Sequence, residues 1–296
     1  MKQKKIVNHK IIVIVGPTAS GKTDLARKLI KKFNGEVISA DSRQIYRGMD
    51  LGTGKDKSFL QHMIDIRNPN DDFSVAEYQS ETYKIIDDII SKNKIPFLVG
   101  GTGLYINSII YGYQIPKTDF KLRQKIEKFS DKKIINELKK IDPLSYEKNK
   151  NNRRRMIRAL EVFLLTKRPL SSYKNIKPNF NFLMLGVNLP RGELYQKIDK
   201  RVDNRIKEGM IEEVEALNKS GVSHGRLQQF GLEYKYISEY LQGITSLEEM
   251  IQKLKFKIHA YARRQITWFR KNKEIIWIKN IFEAEKQIQR FLNEKK

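Results

Sequence analysis

The chain has 296 residues, of which 40% are hydrophobic, enough for one large domain or for a core carrying an inserted subdomain; large-scale disorder is excluded. It contains no cysteine. That rules out a cysteine nucleophile, a disulfide framework and a cysteine-ligated zinc, and it suits a reducing, cytoplasmic setting. The formal net charge of +24 points to a polyanionic partner, and its placement supports nucleic acid: residues 116–177 hold 19 Lys+Arg against 7 Asp+Glu, a concentration that a uniform compositional bias would not produce.

The opening MKQKKIVNHK has the basic head of a signal peptide, but the apolar run after it is strand-length and no small-residue cleavage site follows. It is expected to be a leader into the first strand. The longest apolar runs, IIVIVG (11–16) and IPFLVGG (95–101), are far short of a membrane span, so no membrane partner is expected. Strand patterns occur at 11–16, 36–41, 95–100, 182–189 and 274–279, with helical patterns between them at 22–33, 74–92 and 103–111. This alternation predicts an α/β fold: a P-loop NTPase-like, mostly parallel sheet flanked by helices. From Pro116 the pattern turns basic and helical, as in KLRQKIEKF and RRRMIRALEVFLL. The expected organisation is a catalytic core over 1–115 and 178–296 with a helical C-terminal region, interrupted by an all-helical insertion over 116–177. After strand-like FLMLGVNL, helices are expected at 191–219, 232–241 and 246–271; the last has Leu247, Met250, Ile251, Leu254, Ile258 and Tyr261 at helical spacing.

Gly16-Pro17-Thr18-Ala19-Ser20-Gly21-Lys22-Thr23 fits the phosphate-loop pattern G-x-x-x-x-G-K-[ST] in full, with a strand before it and a helix after. The glycines let the backbone turn its N–H groups inward, the helix N-terminus favours an anion, Lys22 adds a charge and Thr23 offers a hydroxyl to Mg²⁺. The loop does not specify a nucleoside triphosphate. The strand best placed to carry a second magnesium acid, IPFLVGG, ends in Gly-Gly-Thr-Gly instead. EVISAD brings Asp41 to a strand's C-terminal end, where ligands gather in open α/β sheets. There it could hold a metal, accept a proton, or cap a following helix. A small-molecule or nucleotide kinase shares these features. An RNA-binding GTPase-like switch would need a guanine-specifying N-K-x-D stretch, which is missing.

GPTASGKT, ISADSRQIYRGMDLGT, LVGGTGLYI, IRALEV, RVDNRIKEGMIEEVEAL and YARRQITWFR, in this order from residue 11 to 271, resemble the bacterial tRNA dimethylallyltransferases, the adenosine-37 isopentenyltransferase family. The resemblance implies transfer of a dimethylallyl group from dimethylallyl diphosphate to N6 of adenosine 37 in a tRNA anticodon stem-loop, by a monomer using Mg²⁺. It implies that the loop binds an isoprenoid diphosphate, that Arg201 joins Lys22 in stabilising the leaving group, and that Asp41 is the general base. It further implies tRNA contacts at Asp41, Ser42, Arg43, Gln44, Thr102, Arg123 and the run Arg154, Arg155, Met156, Ile157 and Arg158. One more contact falls loosely within 228–235, where QQFGLEYK replaces the usual pattern. On its own, Thr102 could equally cap the helix that starts at 103.

Overall fold

The computed structural model describes residues 9–294; residues 1–8 of the expected leader MKQKKIVNHK lie outside them, and its last two, His9 and Lys10, belong to the first strand. Two compact units divide the chain: one comprises residues up to 71 with 82–106 and 179 onward, the other 72–81 with 107–178.

The first unit is built on a parallel sheet. Its strands are β1 (His9–Val15), β2 (Gly35–Ser39), β3 (Gln61–His62), β4 (Ile95–Gly100), β5 (Phe180–Val187) and β6 (Ile275–Ile278), in the order β3-β2-β4-β1-β5-β6, and every pairing among the described residues is parallel. Central β1 runs beside β4 (Ile12 opposite Phe97) and β5 (Ile12 opposite Leu183), and Ile11 to Val15 are fully buried. A strand covered on both faces reads as an unbroken apolar run, which is why 11–15 shows no alternation. One face packs Ile12, Ile14 and Leu185 against Ala26 and Leu29 of helix α1 (Lys22–Lys32) and against Ala284 and Ile288 near the C-terminus.

The helical part of this unit departs from the expected single helix over 191–219. It is α8 (Arg191–Lys207) and α9 (Met210–Lys219), because Gly209 takes a left-handed φ of 100° that stops the first helix. A short turn, α10 (His224–Leu227), leads to α11 (Leu232–Leu241) and α12 (Leu247–Arg270). A helix not foreseen, α13 (Ile281–Asn293), is capped by Asn280, whose side chain accepts from the Glu283 N–H. The two-residue β3 was not foreseen either. Helices α8 and α12 are held in register by polar rungs: Tyr195 Oη accepts from Arg263 (2.6 Å), His259 Nε2 lies 2.8 Å from Asp199, and Lys255 Nζ lies 2.6 Å from Asp203.

The second unit is helical, with no strand among its described residues. Helices α4 (Phe120–Glu127), α5 (Asp131–Ile141), α6 (Pro143–Asn149) and α7 (Arg153–Thr166) start at Asp119, Ser130, Asp142 and Asn152, each accepting a first-turn N–H. Ile126, Ile134, Leu138, Met156, Ile157, Ala159 and Leu160 form its core. The remaining helices, α2 (Val75–Ser91) and α3 (Gly103–Ile110), flank β4 in sequence. No helix among the described residues is long and apolar enough to cross a membrane.

Candidate active site

The loop 16–23 joins β1 to α1. Its backbone is left-handed at Gly16 (φ 153°), Ala19 (φ 61°) and Gly21 (φ 86°). A Cβ at Gly16 would run into the Val187 carbonyl at the tip of β5, so only glycine lets the loop turn this close to the sheet. Lys22 folds back and donates to the Pro17 carbonyl (2.5 Å). Burial holds its ammonium down to about 7; Asp41 pulls the other way and Arg201 pushes further down. Ser20 Oγ is buried without a partner. Thr18 is gripped on two sides: its N–H donates to Gln265 Oε1 (2.9 Å) and its hydroxyl accepts from Arg201 Nη2 (2.6 Å). Gln265 also donates to the Gly101 carbonyl (3.0 Å), tying the loop to the tip of β4.

Beyond the tip of β2 the chain makes a turn. Asp41 Oδ1 accepts from the Arg43 N–H (2.9 Å), and residues 42–45 form turns and not a helix, so Asp41 is not a helix cap. The Ser42 N–H donates to Thr102 Oγ1 (3.2 Å). Thr102 thus reaches across to the Asp41 turn, while its carbonyl accepts from Tyr105 and Ile106 at the start of α3. Gln44 accepts from Ser39 Oγ (2.7 Å) and donates to the Gly54 carbonyl (3.3 Å). The segment 50–54 that Gln44 meets is staked by Glu213 on α9. That carboxylate accepts from the N–H groups of Asp50, Leu51 and Gly52 (2.8, 2.7 and 3.1 Å) and from Tyr234 Oη (2.7 Å). Burial and the Glu213 charge push the Tyr234 phenol well above its ordinary range.

Two joined cavities result. One, about 400 Å³, is lined by the loop, Asp41, Gln44 and Gln265; the other, about 200 Å³, by Asp41, Ser42, Arg43, Thr102, Arg205 and Phe230 to Tyr234. Thr18, Asp41, Thr53, Arg201 and Tyr261 line both. Arg201 and Arg205 sit one turn apart on α8. Burial, then Arg205, lowers Arg201 to about 10, against the pull of Glu233 and Asp41, and burial lowers Arg205 as well. The Arg201 Nε is buried with no partner. Burial, with the Asp41 charge adding to it, pushes the Tyr261 phenol up to about 12. Buried cations with orphaned donors around a left-handed loop are a receptor for a dense anion. Hard oxygen donors also line the larger cavity, Thr23 and Asp41 among them. No group of three or more carboxylate or histidine ligands occurs among the described residues. That donor set fits a magnesium ion taking one or two protein oxygens and the rest from phosphates and water.

The loop residues Thr18 to Thr23, Asp41, Ser42, Arg43, Gln44, Thr102 and Arg201 therefore line the two cavities, and so do Phe230 to Tyr234 from the loosely assigned segment. In the helical unit the run 154–158 is corrected. Met156 and Ile157 point into its core, so they present no surface to RNA. Arg158 and Arg123 clamp the fully buried Glu161 (2.8 and 2.7 Å), whereas Arg154 and Arg155 are exposed. Sequence reasoning missed Arg205, Gln265 and Glu213. Arg205 was signalled by its i, i+4 spacing from Arg201 in RVDNR; Gln265 and Glu213 gave no signal beyond lying in stretches that match the family.

Comparison with known proteins agrees with this geometry. The IPP transferase family model matches residues 44–272, and the isopentenyl transferase model matches 9–63. The tRNA dimethylallyltransferase of Acetivibrio thermocellus is 45% identical, with 94% of each chain covered. Among solved structures, the tRNA isopentenylpyrophosphate transferase of Bacillus halodurans is 37% identical with a TM-score of 0.71, covering 96% of both chains. A eukaryotic dimethylallyltransferase acting on tRNA is 28% identical with a TM-score of 0.75, covering 88% of this chain and 70% of that one. With matches of this identity over nearly the whole length, the chain belongs to the tRNA dimethylallyltransferase family.

Proposed function

We propose that the chain transfers the dimethylallyl group of dimethylallyl diphosphate to N6 of adenosine 37 in a tRNA anticodon stem-loop, releasing pyrophosphate. The observation that carries this reading is the junction of the two cavities. A phosphate loop with buried Lys22 and Arg201 opens on one side, a wall of Thr102, Phe230 and Tyr234 on the other, and Asp41 lines both. One chamber suits a diphosphate, the other a flat base. The strand beside the loop, β4, ends in Gly100-Gly101, and the carboxylate comes from β2, one strand further out; a kinase could share that arrangement, and it is the match to transferases along nearly the whole chain that disfavours it.

In this reading the N6 nitrogen attacks C1 of the dimethylallyl group while the C1–O bond breaks and its electron pair leaves on the diphosphate. Carbon becomes cationic and the leaving oxygens gain charge, so the loop amides, Lys22, Arg201 and the Ser20 hydroxyl stabilise the transition state by meeting that charge. The N6 proton, made acidic as the bond forms, passes to Asp41. The Arg43 N–H holds the Asp41 carboxylate in place, and Thr102 holds the same turn through Ser42. A magnesium ion, when bound, neutralises diphosphate charge; Thr23 Oγ1 and phosphate oxygens would hold it. Ser42, Arg43 and Gln44 border the base. In the basic helical unit, exposed Arg154 and Arg155 take stem phosphates, while Arg123 of α4, paired with Glu161, ties α4 to α7 and Arg158 braces the same carboxylate from within α7. A cytoplasmic monomer goes with this reading, and light scattering checks the second term.

The test is to incubate the protein with labelled dimethylallyl diphosphate, Mg²⁺ and an unmodified anticodon stem-loop, beside one with guanosine at position 37. Label on N6 of adenosine 37 and none on the guanosine RNA is expected; phosphoryl transfer from ATP to a small acceptor, with no labelled RNA, would refute the reading.

A further inference from the structure

Helix α11 opens on the smaller cavity. Its first turn, Leu232-Glu233-Tyr234, follows Gly231, whose φ of 130° is one that glycine adopts freely. An acid in a first helical turn is ordinary, since it meets the positive end of the helix dipole. The surroundings of Glu233 are not. It lines the cavity of Ser42, Thr102 and Phe230 and does not line the phosphate-loop cavity, whereas Asp41 lines both. Its charge acts on both buried arginines, Arg201 and Arg205. The polar groups around it are engaged: the Tyr234 hydroxyl donates to Glu213, the Thr102 hydroxyl accepts from Ser42, and Arg205 donates to the Gly52 carbonyl. Glu233 itself has no hydrogen-bond or ion-pair partner among the described residues.

A carboxylate only accepts, so the group that satisfies Glu233 is a donor. An adenosine within an RNA chain carries donors in two places, the N6 amino group and the ribose 2′-hydroxyl, because its 3′ and 5′ oxygens are esterified. The amino group belongs at the junction of the cavities, where Asp41 stands. A second carboxylate on the base edge would favour guanine, whose N1–H and N2 amino group both donate. The 2′-hydroxyl remains. We propose that Glu233 is a specificity-determining residue whose carboxylate accepts a hydrogen bond from the 2′-hydroxyl of the reacting nucleoside, so that the cavity selects ribose over deoxyribose. This rests on the proposed RNA substrate and adds to it a group that reads the sugar. A carboxylate serving only to balance Arg201 and Arg205 would give no such selection, which is what separates the two roles by experiment.

The experiment compares transfer to two stem-loops, one with adenosine and one with 2′-fluoroadenosine at position 37. Fluorine keeps the ribose pucker of RNA and cannot donate. For the wild-type chain, kcat/KM is expected to fall roughly 10- to 100-fold on the fluorinated stem-loop, the worth of a hydrogen bond to a charged group. Glu233→Ala should bring the ratio between the two stem-loops to about one, and Glu233→Gln, which loses the charge and keeps an acceptor oxygen, should retain part of it. Taking the ratio within each variant cancels any change in folded fraction or in the arginines' charge. Equal kcat/KM on both stem-loops in the wild type, or a ratio in Glu233→Ala as large as in the wild type, overturns the sugar contact alone. Failure of the wild-type chain to transfer to any RNA overturns it together with the proposed function.

Discussion

Lys22 sits where burial and a neighbouring guanidinium both favour its neutral form, holding it near pH 7. An anion placed against it favours the charged form, so pyrophosphate binding takes up a proton above that pH and does not need to below it. Affinity should fall by up to about tenfold per pH unit above about 7 and stay nearly level beneath it. Calorimetry in buffers of different ionisation enthalpy, wild type against Lys22→Met, isolates this proton from those of pyrophosphate itself; equal uptake by both proteins would exclude Lys22. Asp41→Asn keeps the side chain's size and its hold on the Arg43 N–H but removes the base. Its single-turnover rate should drop roughly 10²- to 10⁴-fold with pyrophosphate affinity retained, and near-normal turnover would remove Asp41 from the mechanism. The phosphate loop and an acid closing a strand were legible in the sequence as local patterns, whereas the base role of Asp41 and the choice of Arg201 came only from the family resemblance. Gln265 was not legible, because a carboxamide bridging the Thr18 N–H and the Gly101 carbonyl becomes meaningful only when α12, β1 and β4 meet.

Helices and loops show the same division. Repeated periodicity made β1, β4, α1, α11 and α12 legible to within a residue or two. The break between α8 and α9 was carried by one glycine inside otherwise continuous helical spacing, and β3 is too short to have a period at all. Segment 50–54 has neither pattern, and its shape comes from Glu213, a residue more than 150 positions away in sequence. That carboxylate accepts four hydrogen bonds, and charged hydrogen bonds are the strong ones. Glu213→Ala would leave three backbone donors and the Tyr234 hydroxyl without it. The expected loss is about 3 kcal/mol of unfolding free energy, read by urea denaturation, with Glu213→Gln intermediate; a loss under about 0.5 kcal/mol would mean that water replaces the carboxylate freely. In the helical unit the run 154–158 was read as one RNA-facing surface. A helix cannot present five consecutive residues to one side, and Met156 and Ile157 went to the core.

At the scale of the molecule, the parallel sheet and the basic helical stretch were legible from alternation and charge, while the strand order β3-β2-β4-β1-β5-β6 was not, since adjacency across a sheet leaves no mark on the chain. The charge of +24 has a measurable signature. Replacing Arg154 and Arg155 together with glutamine should weaken stem-loop binding regardless of sequence and reduce the slope of log affinity against log salt by about 1–2. An unchanged slope would relocate the phosphate contacts to other cations. The pairing of β1 with β5 reaches further than binding. His9 lies opposite Phe180, and the helices of the second unit are made in between. At synthesis rates of roughly 5–20 residues per second, the central strand waits on the order of ten to thirty seconds for its second neighbour. For that interval the valines and isoleucines of β1 show an open edge, so the making of the second unit is when this chain is most open to mispairing.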